Sequence, residues 1–67
     1  MPSKRVGLVI KKLREEKGLS QRALADKAKV TDAYIAMLET GVRTNPTIDT
    51  LKRLAKALGV TVGELVG

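Results

Sequence analysis

The stretch Gly18-Leu19-Ser20-Gln21-Arg22-Ala23-Leu24-Ala25-Asp26-Lys27-Ala28-Lys29-Val30-Thr31-Asp32-Ala33-Tyr34-Ile35 contains a helix stop and two helix starts in quick succession. Gly18 is a natural left-handed residue with which to end a preceding helix. Leu19-Ser20…Leu24 and Val30-Thr31…Ile35 share one pattern: an apolar residue, a hydroxyl, three residues, then an aliphatic one. The hydroxyl caps free backbone N–H groups, and the flanking apolar pair can close as a hydrophobic staple. Between the two helices so defined lie only Lys29, Val30 and the cap Thr31.

The pattern recurs twice further on, at Pro46-Thr47…Leu51 and Val60-Thr61…Leu65, where Glu64 completes a capping-box spacing with Thr61. Upstream, Val6, Val9, Ile10 and Leu13 form an i, i+3, i+4, i+7 stripe. Ile48, Leu51, Leu54, Ala55 and Leu58 form another, closed by Gly59. No segment alternates with period two long enough for a strand. The prediction is therefore all-α: one domain over 1–67, with helices at about 5–17, 21–28, 32–40, 48–58 and 62–66. The second and third helices are too short, and joined too tightly, to run antiparallel. They must meet at a sharp angle, the geometry of a helix-turn-helix.

Sixty-seven residues suffice for one small core, here aliphatic, with no Phe or Trp and a single Tyr. The chain has no Cys and no His, so thiolate or imidazole metal sites, disulfides and a histidine base are excluded. Its seven carboxylates are scattered, and no Gly-rich phosphate loop is present. Neither an enzyme nor a cofactor is expected, and no small-molecule ligand is evident. The start carries no signal-peptide stretch, and no apolar run approaches the roughly 20 residues of a membrane span, so a cytoplasmic location is expected. Net charge is +6, and all of the excess falls in residues 1–29, with nine basic residues against three acids; residues 30–67 hold four of each. Such a balance suggests a polyanionic partner.

Taken together, Gly18-Leu19-Ser20-Gln21…Leu24-Ala25, Val30-Thr31…Tyr34-Ile35…Leu38-Glu39-Thr40-Gly41, Asn45-Pro46-Thr47…Leu51 and Leu54-Ala55-Lys56-Ala57-Leu58-Gly59-Val60…Glu64-Leu65 closely resemble the phage-repressor-like (Cro, or XRE-type) helix-turn-helix family. The resemblance implies a compact five-helix, lambda-repressor-like domain. It also implies sequence-specific double-stranded DNA binding in transcription regulation, with helix 3 in the major groove, and usually a homodimer. Carried onto this chain, it makes Gln21 and Arg22 phosphate contacts at the start of helix 2. It sets Asp32, Ala33, Ala36, Met37 and Thr40 on the outward face of helix 3, with Thr31 and Tyr34 at its rim. Arg43, Thr44 and Asn45 become a loop along the DNA backbone, and Arg14 and Glu39 a partly buried structural ion pair.

Three features depart from the family pattern. Lys29 stands where the turn usually has Gly, a left-handed position that strains other residues by about 1 kcal/mol. Ala33 cannot hydrogen-bond a base, and Met37 replaces a usually polar reader. Asp32 sets a negative charge toward DNA, although an acid in a first helical turn also favours the helix dipole. Base readout is thus expected to lean on apolar contacts such as thymine methyls. Val60, Val62, Leu65 and Val66 offer apolar surface for a two-fold dimer. The competing functions are an antitoxin-type module binding DNA and a toxin, and a purely protein-binding helix-turn-helix; the latter would show no salt-sensitive retention on DNA.

Overall fold

The computed structural model describes residues 4–66. Five helices follow one another: α1 (Arg5–Glu16), α2 (Gln21–Ala28), α3 (Asp32–Thr40), α4 (Ile48–Leu58) and α5 (Val62–Val66). Four of the five spans coincide with the boundaries read from the sequence; α1 ends one residue early, at Glu16.

The starts form for the reason the sequence suggests. Ser20, Thr31, Thr47 and Thr61 each accept, on the side-chain oxygen, the amide three residues on, at 3.0, 3.1, 3.2 and 3.1 Å. Each cap thereby satisfies one of the N–H groups a helix start leaves unpaired. The staple partners Leu24, Ile35, Leu51 and Leu65 all lie in the core, and Leu19, Val30 and Val60 pack against it.

Ile10, Leu24, Ile35, Leu38, Leu54, Leu58 and Leu65 are fully buried and knit the helices into one core. Within it, α1 packs on α3 and α5, α2 on α3 and α4, and α4 on α5. The approach of α1 to α3 is close enough to require glycine. A Cβ at Gly7 would stand 1.8 Å from the Leu38 carbonyl oxygen.

The connection between α2 and α3 keeps its left-handed residue although it lacks glycine. Lys29 sits at φ 59°, ψ 44°, and is the one non-glycine residue with positive φ among those described. The Val30 amide donates back to the Ala25 carbonyl at 3.0 Å and closes the end of α2. Lysine thus holds a left-handed backbone that glycine adopts more readily, and bears its strain.

Candidate nucleic-acid interface

The interface begins inside the molecule. Arg14, on the last turn of α1, donates from Nε to Glu39 Oε2 at 2.7 Å and from Nη2 to Glu39 Oε1 at 3.1 Å. Its third donor, Nη1, reaches the Leu19 carbonyl at 2.8 Å and ties down the α1–α2 connection. The Glu39 side chain is 3 % exposed and that of Arg14 12 %, so the pair is largely withdrawn from water. A bidentate guanidinium–carboxylate fork is the strong form of such a contact. The hydrogen bond to Glu39 holds the Arg14 pKa above its already high ordinary value.

Glu39 has a third donor that sequence reasoning missed. Gln21, the first residue of α2, donates from Nε2 to Glu39 Oε1 at 3.0 Å. The side chain expected to face a phosphate is thus anchored on the buried carboxylate. Turning the amide over would set its oxygen against the carboxylate, so the orientation is fixed by charge. A signal was available in the chemistry: a buried carboxylate accepts at up to about four lone-pair sites, more than two N–H groups of one arginine occupy.

Along α3, Ile35, Leu38 and Glu39 face the core. Asp32, Ala33 and Thr40 are exposed, and Tyr34, Ala36 and Met37 are half-buried, so the expected reading positions share one outward side. Asp32 Oδ1 accepts the Ala33 amide at 2.8 Å, so its carboxylate is turned onto the start of its own helix. Thr31 and Asp32 also line a groove of about 220 Å³ with Arg22, Ala25, Asp26 and Val30. This brings Arg22 of α2 beside the start of α3. It also adds Asp26, which sequence reasoning passed over.

The loop after α3 leaves in a fixed direction because the Arg43 amide donates to the Met37 carbonyl at 3.0 Å. Arg43 and Asn45 are exposed and Thr44 half-buried before α4 begins. The start of α2 therefore lies beside the start of α3, and this loop folds back on the end of α3. Arg22 and Arg43 are exposed on these flanking segments, and α3 itself carries no cation.

A helix-turn-helix family profile matches residues 10–65. The chain belongs to this helix-turn-helix family, of Cro/C1 type. The helix-turn-helix protein is 44 % identical over 62 residues to the immunity repressor protein of Bacillus phage phi105, covering 92 % of this chain and 42 % of that protein. It is 39 % identical over 61 residues to the transcriptional regulator SinR of Bacillus subtilis, covering 91 % and 55 %. The chain thus spans about half the length of these relatives. Among solved structures, SinR in complex with DNA superposes with a TM-score of 0.89 at 39 % identity, covering 92 % of this chain and 98 % of that one. No helix among the described residues is long and apolar enough to cross a membrane.

Proposed function

We propose that this helix-turn-helix protein binds double-stranded DNA sequence-specifically as a transcriptional regulator of the cytoplasm, with α3 in the major groove. The observation that carries the reading is the close fit to a relative solved on DNA, over nearly the whole domain. The surface supports it, because α3 turns a continuous outward side free of core residues beside the capped start of α2. Arg22, Arg43, Thr44 and Asn45 would hold the phosphates on either side, joined by Gln21 through the amide hydrogen that Glu39 leaves over. Asp32, Ala33, Met37 and Thr40, with Thr31 and Tyr34 at the rim, would face the base edges.

Affinity and specificity should then separate. Phosphate contacts position a protein without reading sequence, while contacts in the groove specify it. Selection of sites from random duplex DNA is the test. Met37→Ala should change which sequences are recovered while leaving binding to scrambled DNA nearly intact. Equal loss on selected and scrambled duplexes would show that α3 does not read bases.

A two-fold dimer on DNA, with recognition helices about 34 Å apart, belongs to the same proposal. The apolar cluster expected to build it is mostly spent within the monomer. Leu65 is fully buried, and Val60 and Val62 pack against the core, which leaves Val66 exposed at 47 %. Val66 is the residue from which such a contact would grow. Recovery of an inverted repeat in the selection, with two proteins per site by sedimentation, would support pairing; a single half-site holding one protein would end it.

A further inference from the structure

A second concavity lies on the other flank of α2. Lys27, Ala28 and Lys29 at the end of α2, with Arg53, Lys56 and Ala57 of α4, line a cavity of about 360 Å³. Four of these six residues are cations, and none is an acid. At 100° per residue, Lys27 stands about 140° round α2 from Arg22, so the cavity is set apart from the edge where Arg22 meets Thr31 and Asp32.

Helix dipoles explain part of this gathering of charge. Lys27, Lys29 and Lys56 lie at helix C-termini, where the dipole favours a cation. That gain does not explain why the cations converge on one hollow without a counter-charge in its lining. Nor does it explain Lys29, which carries the strain of a left-handed backbone at this position. Arg53 is loosely held as well. It forms an i,i+4 ion pair with the exposed Asp49 (Nε to Oδ2 3.5 Å), its Nε has no hydrogen-bond acceptor, and its Nη2 reaches Thr50 Oγ1 only at 3.5 Å. A concave site of this size suits a small molecule, and concentrated positive charge selects an anion.

We propose that this cavity binds a small phosphate-bearing anion of at least two negative charges, with Arg53 and Lys56 as principal ligands and Lys29 closing the side nearest the turn. The site does not depend on the DNA-binding reading. The test is a titration of the folded chain with inorganic pyrophosphate at near-physiological salt, followed by backbone amide NMR. Saturable shifts should appear at 27–29 and 53–57, with a dissociation constant below about 1 mM. The double variant Arg53→Gln, Lys56→Gln should weaken binding by roughly tenfold or more, as two charge-assisted hydrogen bonds are removed. Lys11→Gln with Lys12→Gln, on the exposed side of α1, should leave it unchanged. Lys29→Gly should weaken binding while raising thermal stability, a pair of opposite effects that a purely structural lysine would not give. A response that never saturates, or that falls equally in the α1 control, would mean an adventitious ion only. A short DNA duplex that shifts 53–57 together with α3 would place the cavity in the DNA interface and overturn the proposal.

Discussion

Gly7→Ala adds one methyl group at the tightest point of the molecule. Its Cβ would lie 1.8 Å from the Leu38 carbonyl oxygen, 2.6 Å from the Leu38 carbonyl carbon and 3.2 Å from Glu39 Cα. All three are backbone atoms of α3, so no side chain can swing aside. Since Cβ atoms essentially never sit closer than 3.0 Å, α1 and α3 must part by more than an ångström. Opposing this, alanine is the better helix former by about 1 kcal/mol. Overpacking typically costs about 1–3 kcal/mol, with more expected when backbone is the obstacle. The same helix pair carries the 2.7 Å contact of Arg14 with Glu39, which the shift would also loosen. The net expectation is a loss of about 2 kcal/mol or more, a fall in Tm of roughly 8–16 °C for a domain of this size. Thermal and urea unfolding followed by circular dichroism would measure it. Gly63→Ala is the control: its Cβ would meet only Thr61 Oγ1 at 3.7 Å, so propensity alone should act and stability should rise. If Gly7→Ala is as stable as the parent, the close approach of α1 to α3 is wrong.

Arg14→Ala and Glu39→Ala should each cost about 3–5 kcal/mol, because each strands a buried charge, and the double variant should cost clearly less than the sum; additive losses in urea unfolding would break the network. Lys29→Gly should stabilise by about 1 kcal/mol, read as a higher urea midpoint, because glycine adopts the left-handed turn without strain. Thr47→Ala should cost about 1 kcal/mol in the same assay by uncapping α4, and no loss would show that the Thr50 amide finds another acceptor. Arg14 should make stability pH-dependent only in strong alkali: a cation with a raised pKa contributes stability that is lost as pH climbs through that value. Arg43→Ala should weaken binding to cognate and random duplexes alike, and the slope of log K against log salt should flatten by about one for the phosphate it no longer neutralises.

The helix starts are legible in the sequence because capping is local: a hydroxyl and an amide three residues on meet whatever the rest of the chain does. The Arg14–Glu39 contact is legible only through family resemblance, since nothing in the intervening residues brings α1 and α3 together. Gly7 escapes notice for the opposite reason. A glycine inside an amphipathic stripe looks like a weak helical residue, and its necessity resides in the backbone of another helix. Leu65 reads as a source of surface that the fold does not leave it, because the length of α5 says nothing of how deeply α1 and α4 enclose it. The basic hollow is equally hidden, because the charge excess of residues 1–29 gains Arg53 and Lys56 only when α4 packs on α2.

The Gln21–Glu39 bond changes what the start of α2 can offer a phosphate. Ser20 accepts the Ala23 amide on its side chain and the Leu24 amide on its carbonyl. The cap therefore leaves the Gln21 and Arg22 amides as the remaining N–H groups of the first turn. Of the two Gln21 side-chain hydrogens, one is committed to Glu39. A phosphate docked here would meet two backbone amides, one amide hydrogen and the Arg22 side chain, at the positive end of a helix dipole. Glu39 thus acts on the surface without reaching it. By holding the Gln21 oxygen off the carboxylate and fixing the amide plane, it would spare a phosphate contact at this helix start the entropy of ordering a long side chain, up to about 1.5 kcal/mol. The ion pair that joins α1 to α3 and the orientation of the Gln21 side chain are one network, and loosening the first must loosen the second.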